Sequence, residues 1–185
     1  MLTKKEKQLA KELAKLSIEM EFKQDENILK KISEIKKELN KYNYGVFVTL
    51  KNKNQLRGCI GFPYQTKLGE GIYKAAKLSA FYDPRFMPLT KEELNDISIE
   101  ITILFPAEEI KTKDINKLIK EIKIGKHGLI IKNKDNIGLL LPQVALEYNL
   151  NVIDFIEQTC IKAGLNRNAW LDENTKIFKF IGIYF

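Results

Sequence analysis

The first forty residues carry apolar side chains at the spacing of two amphipathic helices. Thr3-Lys4-Lys5-Glu6 has the pattern of a capping box, in which a threonine and a glutamate satisfy each other's backbone N–H groups. The apolar positions that follow predict a helix over residues 3–22, and Asp25 is placed to cap a second. The first helix carries Leu9, Leu13, Leu16 and Met20 on one face, and the second carries Ile28, Leu29, Ile32, Ile35 and Leu39.

A β-hairpin follows these helices. Val46–Leu50 is rich in β-branched and aromatic residues, which favour strands. The polar segment 51–55 contains two asparagines that suit a turn, and the segment 56–62 then runs back along the first strand. Pro63 predicts the end of this second strand, because proline cannot donate a hydrogen bond to a sheet ladder.

The rest of the chain mixes helical and strand periods without a repeating strand–helix–strand order. Residues 68–81 place small and apolar side chains on one helical face, whereas 96–104 alternates isoleucine with polar residues at the period of a strand. Thr90-Lys91-Glu92-Glu93 has the pattern of a second capping box, which predicts a short helical turn. Further predicted elements are a helix over 115–122, a hairpin of 128–131 with 137–141, helices over 142–148 and 152–163, and a strand over 176–184. This order predicts an α+β fold with mainly antiparallel strands. Neither GxGxxG nor GxxxxGK[ST] occurs, so nucleotide sites of those kinds are not supported.

Length and composition describe a folded protein of modest size. With 185 residues, 44% of them hydrophobic, the chain suffices for one domain, or for one domain with a small second lobe. No apolar run approaches the roughly 20 residues that cross a bilayer, and the N-terminus lacks the apolar core of an export signal. We therefore expect a cytoplasmic protein with no membrane partner.

The net charge of +7 raises the alternative of a nucleic-acid partner. Lysines and glutamates are interspersed along the chain, however, so the excess charge is spread thinly. No segment combines dense arginine with aromatic residues, as single-strand-binding surfaces do. Nucleic acid is therefore an open partner but not the favoured one.

The segment Leu56-Arg57-Gly58-Cys59-Ile60-Gly61 is the strongest candidate for a site. Glycine weakens a strand and often marks a place where a ligand or another backbone comes close. On a functional interpretation, Gly58 and Gly61 open the backbone to a ligand. Cys59 is then a nucleophile or metal ligand, and Arg57 holds an anion. On a structural interpretation, the glycines form a bulge or a close sheet–helix contact, and Cys59 is a small buried hydrophobic residue.

His127 is the single histidine, and therefore the single imidazole for general-base catalysis at neutral pH. With Cys59 it forms the one thiol–imidazole couple that the composition allows. The alternative is a turn residue bonded to backbone, because His127 lies in a loop that enters a strand. The two cysteines, Cys59 and Cys160, are too few for a disulfide scaffold. Neither CxxC nor HxxxH spacing occurs, so the sequence does not support a tight zinc site of cysteine and histidine ligands.

Three further polar residues are candidates for the same site. Arg85 lies in a rigid Asp-Pro-Arg-Phe turn, which either closes an internal ion pair or points Arg85 into an anion pocket shared with Arg57. Glu100 faces away from the isoleucines of its strand, and if that face is covered we expect Arg57 or Arg85 as its partner. Gln143, at a predicted helix start, either orients a ligand or caps the helix.

The motifs of this chain and their order resemble those of the AMMECR-type domain family. That family is named after the Alport syndrome, mental retardation, midface hypoplasia and elliptocytosis chromosomal region protein. The segment Leu56–Pro63, LRGCIGFP, is similar to the signature of that family. The resemblance covers essentially the whole chain. The other matching segments are Asp83–Phe86, Pro88–Thr90, Ile99–Ile101, Gly125–Gly128, Leu140–Ala145, Lys162–Leu165 and Trp170.

The resemblance implies a two-lobed α+β fold with an antiparallel sheet flanked by helices. Residues 1–185 then form one domain, whose larger lobe combines the N- and C-terminal parts and whose smaller lobe is inserted from the middle. The resemblance also implies partners. Prokaryotic members are known as protein A of a three-part system, whose other members are a Memo-type dioxygenase-like protein and a radical S-adenosylmethionine enzyme. Enzymatic and nucleotide- or RNA-related roles are both compatible with it.

We therefore expect a ligand or catalytic pocket that acts on, or carries, a small anionic metabolite. Its candidate residues are Arg57, Cys59, Arg85, Glu100 and His127, with Gly58, Gly61 and Gln143 as further ligand contacts. Cys59 is the expected nucleophile or metal-binding thiol, His127 the base, and the two arginines the anion contacts. The alternatives are a nucleic-acid or nucleotide-binding module and a non-catalytic adaptor, and no cofactor follows from the sequence.

Overall fold

The computed structural model describes residues 2–185, which form two compact units. The first unit contains the chain up to Leu104 together with Ile183–Phe185, and the second contains Phe105–Gly182. Both combine helices with antiparallel strands, so the predicted α+β class is confirmed. Among the described residues, no helix is long and apolar enough to cross a membrane.

The first unit packs helices against one face of a three-stranded sheet. Its helices are α1 (Lys4–Phe22), α2 (Glu26–Leu39) and α3 (Leu68–Phe81), and its strands are β1 (Asn43–Asn52), β2 (Gln55–Lys67) and β3 (Ile97–Leu104). β1 lies between β2 and β3 and is antiparallel to both. Val46, Val48 and Leu50 of β1 are fully buried in a core that they share with α1 and α3. Phe185 exchanges backbone hydrogen bonds with Ile101 of β3.

The first two helices begin at their capping residues. The Thr3 hydroxyl accepts a hydrogen bond from the Glu6 N–H, and the Glu6 carboxylate accepts one from the Thr3 N–H, so the predicted capping box is confirmed. Asp25 caps α2 by accepting from the Asn27 N–H at 2.9 Å. These local bonds explain why two helices are separated by only a short bend.

One predicted core position of α2 is wrong. Ile32 and Ile35 are buried as expected, whereas Leu29 is 53% exposed. One residue turns an α-helix by about 100°. Leu29 therefore leaves the apolar stripe that Ile28 continues, and it faces solvent.

β2 continues through Pro63 to Lys67, so the prediction that Pro63 ends the strand is also wrong. Within residues 2–185, β2 is the terminal strand of its sheet and pairs with β1 alone. The β1–β2 register is irregular here, shifting between Tyr44 and Val46. A proline is tolerated on such an edge strand, because its missing N–H breaks no required ladder bond.

α3 approaches the hairpin closely at Gly58. A Cβ atom on Gly58 would lie 2.1 Å from the carbonyl oxygen of Ser79. The buried Ser79 hydroxyl accepts a hydrogen bond from the Ile60 N–H at 2.8 Å and donates one to the Val48 carbonyl at 2.8 Å. The predicted helix and its face of small residues are confirmed, and that face lets the helix bond directly to both strands of the hairpin.

The second unit contains a four-stranded antiparallel sheet in the order β6-β5-β7-β4. Its strands are β4 (Glu108–Ile110), β5 (His127–Asn133), β6 (Asn136–Leu140) and β7 (Lys176–Tyr184), and its helices are α4 (Ile115–Glu121), α5 (Pro142–Glu147) and α6 (Val152–Lys162). Phe155 of α6 is fully buried in a core with Leu129 and Ile131 of β5. Of these elements only β4 was not predicted, because three residues are too few to show a period.

Glu6 is a buried carboxylate that ties α1 to the segment before β1. Its oxygens accept hydrogen bonds from the Thr3 N–H and hydroxyl, from the Tyr42 hydroxyl at 3.0 Å and from the Lys41 ammonium at 2.7 Å. The bond from Lys41 contributes most, and together these donors lower the pKa of Glu6 from 4.5 to about 2. The network therefore depends on the ionised form of Glu6.

We expect Gly58→Ala to reduce the free energy of unfolding by about 1–3 kcal/mol, because the added methyl overlaps helix backbone that cannot rotate away. Urea denaturation of the variant and the wild type measures this difference. Leu56→Ala, at an exposed position of the same strand, is the control and should cost about 0.5 kcal/mol or less. Equal losses in the two variants would contradict the close contact.

We expect the stabilisation from Glu6 to be lost as pH falls from about 4.5 towards 2. Because the folded-state pKa is depressed, this contribution is complete above the unfolded-state value and disappears as pH falls through the folded-state value. The wild type and Glu6→Gln should therefore converge in free energy of unfolding over this range, as measured by denaturation at a series of pH values. Glu34→Gln, exposed on α2, should show no such convergence.

Candidate functional site

Arg57 is the extra residue of a β-bulge in β2, where the register with β1 shifts and leaves Arg57 without a partner on β1. Its side chain reaches Glu93, with Nε donating to Oε1 at 2.7 Å and Nη2 to Oε2 at 2.9 Å. These bonds raise the pKa of Arg57 and lower that of Glu93. Glu93, at a 3-10 turn, also closes the predicted capping box with Thr90. Arg57 Nη1 is buried and has no hydrogen-bond partner among residues 2–185.

The backbone of Cys59 is held by the turn that follows α3. The Cys59 N–H donates to Asp83 Oδ2 at 2.8 Å, and the Cys59 carbonyl accepts from Arg85 Nη2 at 3.2 Å. Arg85 also donates to both carboxylate oxygens of Asp83, at 2.9 and 2.7 Å, so the turn closes an internal ion pair. The bonds from Arg85 and from the Cys59 N–H hold the pKa of Asp83 well below its usual range.

The two charged groups of this ion pair differ in their exposure to solvent. The Asp83 side chain is 1% exposed, whereas that of Arg85 is 53% exposed. The carboxylate therefore lies underneath and the guanidinium faces solvent. The Phe86 ring lies within cation–π distance of both arginines, with its centroid 5.4 Å from Arg85 Cζ and 6.0 Å from Arg57 Cζ.

The half-buried Cys59 thiol lies beside a hydroxyl, with Sγ 3.2 Å from Thr49 Oγ1. Thr49 is in register with Cys59 on β2 and with Glu100 on β3. A thiol, a hydroxyl and a carboxylate thus form a row across three strands. Because side chains alternate along a strand, this row lies on the sheet face opposite to that of the core residue Val48.

The partner of Glu100 is Lys51, and the expectation of Arg57 or Arg85 is wrong. Lys51 Nζ donates to Glu100 Oε2 at 3.2 Å. Lys51 lies two residues along β1 from the residue opposite Glu100, so the two side chains are diagonal neighbours on one face of the sheet. The arginines are engaged elsewhere, each by its own carboxylate.

Gly58 and Gly61 are both closely approached by the protein itself. α3 occupies the space beside Gly58, and a Cβ atom on Gly61 would lie 2.4 Å from Cγ of the Phe47 ring. Packing therefore supplies a reason for each glycine, in line with the structural interpretation. Their contact with a ligand stays a prediction.

His127 and Gln143 lie in the second unit. His127 begins β5, and its Nδ1 accepts a hydrogen bond from the Lys123 N–H at 3.1 Å. Burial lowers the pKa of His127, and the charge of Lys179 lowers it further, so the imidazole is neutral at pH 7. His127 lines a cavity of about 350 Å³ together with Glu108 and Lys179. Gln143 lies at the start of α5, and its Oε1 is buried without a partner among the described residues.

The proposed thiol–imidazole couple joins residues of different units, since Cys59 belongs to the first and His127 to the second. The couple stays a prediction. Within the first unit, the polar side chain beside the thiol is Thr49. Across residues 2–185, no three His, Cys, Asp or Glu side chains form a group that could hold a metal ion.

Among the residues that build this site, Thr49, Ser79, Glu93 and the Glu100 partner Lys51 were not predicted for it. Thr49 is a hydroxyl within an otherwise apolar strand, and Ser79 is the polar member of a small-residue helix face, so each carried a weak signal. Glu93 was identified only as the end of a capping box. Its second role required the strand register and the chain path, because Arg57 lies 36 residues away.

Comparison with known proteins gives one family. The AMMECR1 family model matches residues 11–185. Protein NEQ441 of Nanoarchaeum equitans is 44% identical over 154 residues, which cover 82% of this chain and 85% of that protein. A protein of Aquifex aeolicus is 46% identical over 155 residues, covering 82% of this chain and 79% of that protein. The crystal structure of uncharacterised protein PH0010 from Pyrococcus horikoshii is similar with a TM-score of 0.77 and 34% identity, covering 96% of this chain and 91% of the other.

We expect Asp83→Asn to reduce the free energy of unfolding by about 1–3 kcal/mol, because it removes the charge that accepts from Arg85 and from the Cys59 N–H. The Cys59 amide should also exchange faster with deuterated solvent. Asp135→Asn, at an exposed hairpin turn, is the control and should change neither quantity. An unchanged exchange rate at Cys59 would show that Asp83 does not fix this backbone.

Proposed function

Because this chain belongs to the AMMECR1 family, whose relatives above carry no stated activity, we propose a function from the site itself. The protein binds a small anionic metabolite against the Cys59 thiol and acts on it or carries it. The observation that carries this proposal is the Asp83–Arg85 turn, which fixes the backbone of the thiol-bearing residue from both its N–H and its carbonyl. A thiol with a fixed backbone, a neighbouring hydroxyl and a solvent-facing cation is suited to positioning a ligand for reaction.

The charge arrangement favours an anion as the ligand. The site contains as many carboxylates as cations, so its net charge gives no preference. The geometry of the site favours an anion, because the Asp83 carboxylate is buried while the Arg85 guanidinium faces solvent. Arg85 uses Nε and Nη2 for Asp83 and Cys59, which leaves Nη1 for an acceptor on the ligand.

Each residue then has a distinct role. Cys59 supplies the thiol as nucleophile or point of attachment, and Thr49 orients it. Arg85 contacts the anionic group of the ligand. Arg57 has a structural role in this proposal, because its side chain is 14% exposed and donates two hydrogen bonds to the Glu93 carboxylate. In this proposal the protein acts alongside a Memo-type protein and a radical S-adenosylmethionine enzyme, the company that the family resemblance implies.

Alkylation of Cys59 with two reagents of different charge tests the anion preference. Iodoacetate and iodoacetamide place the same alkyl carbon on sulfur and release iodide, but only iodoacetate is anionic. We expect the ratio of the iodoacetate rate to the iodoacetamide rate at Cys59, measured by mass spectrometry, to fall roughly fivefold in Arg85→Gln. Arg167→Gln, which alters a 62% exposed arginine of the second unit, should leave the ratio unchanged. Cys160, fully buried, serves as the unreactive internal control.

One result of the alkylation experiment would contradict the proposed anion site. If Cys59 shows the same ratio as a free thiol in solution, and Arg85→Gln does not change it, the site does not select an anion and the proposal fails. Binding of single-stranded RNA at low salt, with an affinity that falls steeply as salt rises, would then favour the nucleic-acid alternative.

A further inference from the structure

A cavity of about 540 Å³ in the second unit is lined by α5, α6 and the end of β6. Its volume lies within the roughly 300–1,000 Å³ that is usual for small-molecule sites in proteins. The residues that line it all belong to Phe105–Gly182, so one unit builds it. None of the residues around Cys59 lines this cavity, which is therefore a second place on the chain where a ligand fits.

The first wall of the cavity is α6, which packs closely against β6. A Cβ atom on Gly138 would lie 2.5 Å from the carbonyl oxygen of Thr159, so the helix meets the strand at this glycine. Side chains alternate along a strand, and Leu140 therefore projects from the same sheet face as position 138. That is the face on which α6 packs. Leu140 thus lies beside α6, where it lines the cavity.

The second wall is α5, which a hydrogen-bonded corner joins to α6. The Leu150 N–H donates to the Ala145 carbonyl at 2.8 Å, and the Asn151 side chain then caps α6 by accepting from the Ile153 N–H at 2.9 Å. Ala145 is fully buried, so the corner is anchored in the core of the unit. The cavity is therefore formed before a ligand arrives, and binding does not have to order the chain.

The lining combines apolar side chains with polar groups that can donate a hydrogen bond. Besides Leu140, its apolar members are Val144, Leu150 and Ile161. The remaining members are polar, namely Tyr148, Gln158 and Lys162. A phenol hydroxyl, a side-chain amide and an ammonium group can each donate. None of these three side chains has a hydrogen-bond or ion-pair partner among residues 2–185, so all three are available to a ligand.

The charge of the lining matches a ligand with a single negative charge. Lys162 is the charged member of the lining, and no carboxylate of the described chain lines the cavity. The neighbouring acid on α6, Glu157, is paired with Arg167 at 3.6 Å. An organic cation would face the ammonium group, and a dianion would keep one charge unmatched. A carboxylate fits better, because Gln158 and Lys162 lie one turn apart on α6 and can donate to its two oxygens.

We propose that this cavity binds a small aliphatic monocarboxylate. Its carboxylate accepts from Lys162 and Gln158, and its apolar chain packs against Val144, Leu150 and Ile161. Removal of the apolar chain from water supplies most of the affinity. The ion pair with the exposed Lys162 adds less, because solvent screens it, but it selects a carboxylate over a neutral compound of the same length.

Titration of the full chain with octanoate, followed by the methyl signals in NMR spectra, tests this site. Octanol, which has the same chain length without a charge, is the matched probe. We expect both compounds to shift the methyl signals of Leu140, Val144 and Ile161 in a saturable manner. The methyl signals of Leu13 and Val48, buried in the core of the first unit, should not move. Added sodium chloride should weaken the binding of octanoate alone.

Three variants separate the contribution of the charge from that of the apolar lining. Lys162→Gln should weaken octanoate roughly three- to fivefold and leave octanol unchanged, because it removes the ion pair and keeps the apolar contacts. Ile161→Gln, at a 45% exposed position, should weaken both probes to a similar degree. Lys117→Gln, at an exposed position of α4, is the control and should change neither affinity. Circular dichroism checks that each variant is folded.

Three results would overturn the proposal. The first is the lack of a saturable shift at Leu140, Val144 and Ile161 with octanoate, even if the same surface is later found to bind another protein. The second is saturable binding that shifts signals elsewhere and not these. The third is an octanoate affinity that is the same in folded Lys162→Gln as in the wild type, since the ammonium group would then select no carboxylate.

Discussion

The contact between Gly58 and the backbone of Ser79 sets the position of α3, and the candidate site depends on that position. A side chain at residue 58 would hold the helix away from the hairpin, because the Ser79 carbonyl occupies the space where a Cβ would stand. α3 ends at Phe81, so Asp83 follows two residues later. The close packing of the helix therefore places the Asp83 carboxylate next to the Cys59 N–H, at the outer edge of β2.

Electrostatics then distinguishes the two arginines of this region. Both are bidentate on carboxylates, so neither is a free cation. Arg57 is more buried than its partner Glu93, whereas Arg85 is far more exposed than its partner Asp83. Burying one member of an ion pair and exposing the other gives the surface the sign of the exposed member. Arg85 therefore presents its charge to solvent, whereas Arg57 is held by Glu93 with little exposure.

The second unit has a different character. Its histidine is neutral and bonded to backbone, and its terminal strand β6 contains neither a charged residue nor a proline. The first unit covers its own terminal strand β2 with the turn that also builds the candidate site. A terminal strand needs partners for its outward backbone groups, and in the first unit the side chains of Asp83 and Arg85 supply them at Cys59.

The sequence by itself determined the helices and strands with strong local signals. The Thr3 capping box, the small-residue face of α3 and the isoleucine alternation of β3 depend on neighbouring residues, so periodicity and capping were sufficient to predict them. The glycines around Cys59 indicated a close backbone approach, and the backbone of α3 lies against Gly58. Only the tertiary structure decided that Thr49 lies beside Cys59, that Lys51 pairs with Glu100, and that each arginine has its own carboxylate. Most of these contacts join residues 10 to 49 positions apart, so they depend on strand register and helix approach rather than on local pattern.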